Sequence, residues 1–95
     1  EDSQLRLVFI RFHSHIERFF EQEDQLMESC RFPDRNEHRS EHEQMLNEIR
    51  YLIQRIENGL YTLGHTYVRA RLPQWFNTHV ATMDDNLASY LSTNR

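Results

Sequence analysis

His38, His42, Met45, Ile49, Leu52 and Ile56 follow one another at intervals of three and four residues, which places all six on one face of a single α-helix. The face that such a helix buries is thus headed by two imidazoles. They are separated by about 6 Å of rise, close enough for both to reach one metal ion. A helix with this face needs partners, and the rest of the chain supplies two. Upstream, over about residues 2–29, Leu5, Val8, Phe9, Phe12, Ile16, Phe19, Leu26 and Met27 recur at the same spacing. Continuing their stripe from Phe19 lands on Glu23, a carboxylate where an apolar residue ordinarily stands, and a buried charge requires a partner or a metal. Downstream, over about residues 62–91, Leu72, Phe76, His79, Met83 and Leu87 trace a third inner face.

The punctuation between these segments agrees with three helices. Pro33 ends the first, and Asp34 with Glu37 has the spacing of a capping box opening the second at about residue 35. Asn58-Gly59 supplies the stop near residue 58. Pro73 falls inside the third pattern and removes a backbone donor, so a kink or a broken first segment is expected there. With only two Gly and two Pro, and abundant Glu, Gln, Arg and Leu, the composition favours helix throughout. The expected fold is all-α, an up-down antiparallel helical bundle occupying residues 1–95 as one domain. A domain of 95 residues is only modestly stabilised by its core, and a metal cluster would act as a staple. The chain opens on Glu1 rather than a methionine, so it reads as part of something longer.

A net charge of −4, from 11 basic and 15 acidic residues, provides no basic surface for nucleic acid. Cys30 is the sole cysteine and cannot form an intramolecular disulfide; a small residue at a helix end is its ordinary role. Neither a secretory apolar region nor a membrane-spanning run is present, and a cytoplasmic location is the expectation. Met27, Met45 and Met83 read as core packing. His65 reads as a surface residue.

Asp84 lies five residues beyond His79. On a regular α-helix that spacing leaves the two side chains about 140° apart, so both reach one ion only if the helix loosens between them. Asp84 is otherwise a cap or a solvated acid.

Glu23-x3-Met27, His38-x3-His42 and Trp75-x3-His79-x4-Asp84 together resemble the hemerythrin family, particularly its bacterial members, over Phe19 to about Leu91. The resemblance implies an up-down four-helix bundle holding two iron ions, bridged by an oxygen atom and two carboxylates, where dioxygen binds reversibly. It implies that His38, His42 and His79 ligate one iron, that Glu23 and Asp84 bridge to the second, and that Phe20, Trp75 and Phe76 line an apolar pocket. Two departures stand out. The family has a histidine where this chain has Phe19, and a further histidine comes from a preceding helix, which this chain is expected to lack. Of the three helices present, none then carries the second iron's own ligands. His15, one turn before Phe19, is a candidate replacement, but that turn displaces it by about 5.4 Å.

Three imidazoles with one or two carboxylates suit iron or zinc, and one ion is the natural expectation for this ligand set. The expected function is a non-haem iron domain that binds or senses dioxygen, nitric oxide or redox state. The alternative is a metal-deficient helical interaction module that dimerises through the seam left by an absent helix and regulates a fused signalling domain. An enzyme is the least favoured reading, because no acid, base or nucleophile stands out beyond the ligands.

Overall fold

The computed structural model describes residues 2–93; Glu1, Asn94 and Arg95, part of the domain expected over 1–95, lie outside the described residues. Three helical arms run up, down and up. Helix α1 spans Asp2–Ser29 and α2 spans Arg35–Glu57. The third arm is continuous but not uniform: α3 Tyr61–Thr66, a π turn Tyr67–Arg71, α4 Leu72–His79, a second π turn Val80–Asp84, and α5 Asp85–Thr93. No strand occurs among the described residues, and no helix is long and apolar enough to cross a membrane. Antiparallel pairing is recorded by contacts at both ends. Arg6 at the start of α1 meets Glu57 at the end of α2, and the Tyr90 hydroxyl near the end of α5 donates to the Cys30 carbonyl in the turn that leads into α2.

Both reversals close with the same backbone device. After α2, the Leu60 N–H bonds to the Arg55 carbonyl and the Gly59 N–H to the Ile56 carbonyl, with Gly59 at φ 89°. This paired capping satisfies carbonyls that the helix end leaves open and asks for a left-handed residue. After α1, Phe32 N–H bonds to Met27 and Arg31 N–H to Glu28, but here the left-handed position, φ 57°, is held by Arg31. The expected capping box at Asp34 is absent. Asp34 sits at φ −95°, ψ 21°, close to helical backbone rather than the extended conformation that turns a cap side chain back, and its carboxylate makes no capping bond. The break expected at Pro73 takes the form of the π turn just ahead of it. Pro73 therefore falls in the first turn of α4, where its missing N–H costs little.

The buried face of α2 is the one its spacing predicts: His38, His42, Met45, Ile49, Leu52 and Ile56. On α1 the buried residues are Leu5, Phe9, Ile16, Phe20 and Met27, whereas Val8, Phe19 and Leu26 are 57%, 54% and 43% exposed. The inward stripe passes through Phe20 instead of Phe19. Glu23 still belongs to it, three residues after Phe20 and four before Met27.

Two apolar clusters result. A larger one gathers Leu5, Phe9, Ile16, Phe20, Met45, Ile49, Leu52, Ile56, Tyr67 and Trp75. A smaller one, Met27, Phe32 and Leu87, closes the opposite end. Each large apolar side chain so buried contributes about 1.5–3 kcal/mol. Between the clusters the centre of the bundle is given over to histidines and carboxylates.

Candidate metal centre

His38, His42 and His79 are 0%, 1% and 2% exposed, a degree of burial that imidazoles seldom reach without partners. The register of α2 brings in the first two, four residues apart; the third comes from the end of α4. Each of two rings is clamped on its face. Phe20 stacks on His42 at 4.0 Å with the planes 5° apart, and Trp75 stacks on His79 at 4.5 Å and 11°.

The same two rings are also held at one edge. His42 Nδ1 lies 2.8 Å from Asp24 Oδ1, and His79 Nδ1 lies 2.8 Å from Glu41 Oε1. A carboxylate at Nδ1 favours a hydrogen there and leaves Nε2 free to meet an ion at the centre. Both Nε2 atoms point to the bundle centre, where further acceptors meet them. Glu23 Oε1 lies 2.9 Å from His42 Nε2 and 3.0 Å from His38 Nε2. Asp84 Oδ1 lies 3.1 Å from both His38 Nε2 and His79 Nε2. The Nε2 atoms of His38 and His79 are themselves 3.2 Å apart. Glu23, His38, His42 and His79 each offer one ligand atom within a sphere where all lie within 4.8 Å of one another.

This convergence tests whether a metal suits the site. Buried oxygens Glu23 Oε1 and Asp84 Oδ1 and nitrogen His42 Nε2 all lack a hydrogen-bond partner of proper direction, despite their short separations. Acceptors crowded on one point need a cation. Donors bound to one ion at about 2.0–2.2 Å stand about 2.8–3.6 Å from their neighbours, the range of five of these separations. The residues present fit a divalent metal.

Electrostatics agree. Burial pushes the Glu23 carboxyl up, but the contacts and positive charge of His38 and His42 outweigh it and hold the group well below its usual range. Asp84 is pushed up, by burial and by the neighbouring Glu23 charge. Burial pulls His38 down, and its contacts with Glu23 and Asp84 more than reverse this, so its pKa is raised. The raised pKa favours the charged form of His38 in the metal-free protein.

Asp84 reaches the centre through the π turn Val80–Asp84. Its i→i+5 hydrogen bonding widens the turn, so residues five apart come to one face instead of standing 140° apart.

Over 81 residues the chain is 36% identical to a protein named Bacteriohemerythrin from Ralstonia nicotianae (strain ATCC BAA-1114 / GMI1000), a match that covers 85% of this chain. The chain belongs to the hemerythrin-like family. It spans 58% of the length of that relative. No family model matches the sequence, and no solved structure matches it either.

Within this hemerythrin-like bundle, the remaining residues singled out by sequence lie at increasing distance from the centre. Phe20 and Trp75 touch the histidine rings; Phe76 lies one step out, packed on Trp75 at 5.0 Å and on Phe12 at 6.1 Å. Phe19 faces outward and lines a shallow surface depression with Gln22, Glu23 and Leu26. His15 is exposed, about 12 Å of helix rise from Glu23. His65, read as a surface residue, is half-buried.

Asp24 and Glu41 were not singled out by sequence. Each follows or precedes a core residue of its own helix, Glu23 or His42, and is about a quarter exposed, where an acid has an ordinary explanation. The signal that could have found them is positional: one residue along a helix turns the side chain by 100°, from the centre toward the adjoining helix.

Proposed function

We propose that this chain is a non-haem iron domain that binds dioxygen or nitric oxide, or responds to redox state, and that it holds one iron through His38, His42 and His79 with the carboxylates of Glu23 and Asp84. The observation carrying this reading is the convergence of three buried imidazole Nε2 atoms on the buried oxygens of Glu23 and Asp84, two of those imidazoles having Nδ1 engaged by a carboxylate. Kinship with a bacteriohemerythrin supports iron over zinc. Iron at this site would supply reversible binding of a diatomic gas and a change of oxidation state.

The protein's own part is positional. Phe20 and Trp75 cover the rings and exclude water from the side facing the larger apolar cluster. Glu23 and Asp84 bring negative charge that balances a cation buried among neutral imidazoles. One ion rather than two is favoured by Phe19, whose exposed ring offers no ligand atom, and by the exposure of His15. A signal from this site to a fused signalling domain would pass through the helices that carry the ligands, since a change at a metal held by His38, His42 and His79 would act on α2 and the third arm together.

Elemental analysis after aerobic purification, with an absorption spectrum of the same sample, tests the reading. One iron per chain is expected. Two irons with oxo-bridge absorption would replace the one-ion assignment with a two-iron site, and no metal after anaerobic iron loading would overturn the metal reading altogether.

A second reading has its own observation. Val8, Phe19 and Leu26 fall within about 20° of one another around α1, and all three are exposed. Beside them Val8, Phe9 and Phe12 form an apolar groove with Val68 and Leu72 of the third arm. Such a stripe suits a helical interaction module that pairs with a second copy. Sedimentation over a range of concentrations tests it: a dimer weakened by Phe19→Glu supports the module, and a monomer throughout removes it.

A further inference from the structure

We infer that Asp24 and Glu41 are positioning residues for the metal: each fixes the tautomer and the orientation of one histidine so that its Nε2 is presented bare to the centre. This rests on the metal reading above but makes a claim that the metal-free protein can answer. The two arrangements are built alike. Asp24 is the residue after Glu23 on α1 and reaches across to His42 on α2 at 2.8 Å. Glu41 is the residue before His42 on α2 and reaches across to His79 on the third arm, also at 2.8 Å. Thus each carboxylate stands beside a centre-facing residue of its own helix and serves the histidine of the next helix around the bundle.

Geometry leaves these carboxylates little other purpose. Side chains of Asp24 and Glu41 are 27% and 28% exposed, so they remain partly hydrated and need no partner to be tolerated where they are. What they supply is a single charge-assisted acceptor aimed at an otherwise buried N–H. That acceptor raises the basicity of the imidazole and prevents its rotation, so less order is lost when an ion binds. His38 provides the internal contrast. Its Nδ1 is buried without a hydrogen-bond partner, and its ring lies against His42 and His79 rather than stacked beneath an aromatic lid. Two of the three histidines are therefore held at Nδ1 before any metal arrives, and the third is not.

The test compares Asp24→Ala and Glu41→Ala with Asp24→Asn and Glu41→Gln, whose amide oxygens can still accept from Nδ1–H. Long-range 1H–15N NMR of the metal-free protein reads the tautomer of each ring, and competition against a chromophoric chelator reads cobalt(II) affinity. In the parent chain His42 and His79 should carry the hydrogen on Nδ1. Each alanine variant should lose that preference at its own histidine alone and bind cobalt(II) about 10- to 100-fold more weakly. The amide variants should keep the tautomer and recover most of the affinity. Alanine variants that retain both tautomer and affinity overturn the inference. If the parent chain binds no metal, the iron reading fails, while the tautomer of His42 in Asp24→Ala still decides whether Asp24 does the positioning.

Discussion

His42 shows what a single residue must satisfy to sit at the centre of so small a bundle. Its face is covered by Phe20, its Nδ1 is held by Asp24, and its Nε2 stands 2.9 Å from Glu23. Replacing it with alanine removes a donor and leaves the Glu23 carboxylate facing one imidazole fewer. Iron per chain in His42→Ala should fall from one to near zero by elemental analysis; an unchanged stoichiometry would sink the ligand assignment. A different residue carries cost without evident benefit. Arg31 adopts φ 57° in the turn after α1, a conformation that penalises a side-chain-bearing residue by about 1–2 kcal/mol and suits glycine. Part of that gain is returned through the greater freedom of glycine in the unfolded chain. Arg31→Gly should therefore raise stability by about 1 kcal/mol, read as a thermal midpoint several degrees higher.

Among the elements, the π turn Val80–Asp84 reconciles a spacing that a regular helix cannot use. A π turn amounts to one residue added to an α-helix without rotating the downstream residues. Deleting Thr82 should accordingly return the segment to α geometry with His79 and Asp84 four residues apart, about 40° from each other, and leave Leu87 facing the core. Circular dichroism should show an unchanged fold, and metal content should persist. Deleting Gln44 from α2 should instead rotate Met45, Ile49, Leu52 and Ile56 by about 100° against His38 and His42 and abolish cooperative unfolding. Loss of metal with a preserved fold on deletion of Thr82 would show that the wide turn itself is required. The three-arm fold and the central histidines were legible in the sequence because α2 has one unbroken inward period. On α1 the adjacent Phe19 and Phe20 both continue the period from Ile16, and only packing against His42 decides for Phe20. Asp24 and Glu41 escaped because their partners lie on other helices, a relation that spacing along one helix does not encode. Arg31 escaped too, since glycine rather than arginine announces a left-handed turn.

Taken whole, the molecule is a bundle 49 Å long whose two apolar clusters are separated by a titratable centre, so its stability must depend jointly on pH and on metal. The raised pKa of His38 adds stability that is complete below its ordinary value of 6.5 and disappears as pH rises through the raised value. Glu23 acts in another window: its depressed pKa adds stability above the ordinary carboxylate range, lost only as pH falls below that range, and is constant from pH 6 to 8. His13 opposes His38. Burial, then the Arg50 charge, depress its pKa, so its contribution improves as pH rises toward and past 6.5. In a His13→Gln background, the thermal midpoint of the metal-free protein should consequently fall between pH 6 and pH 8. Metal reverses the dependence, because an ion can occupy the centre only once the His38 proton has left. With zinc(II) as a redox-inert probe at fixed free concentration, the gap between loaded and metal-free midpoints should widen over the same interval. A metal-free midpoint that climbs from pH 6 to 8 in that background would contradict the role given to His38, and a gap independent of pH would show that the ion binds without displacing its proton.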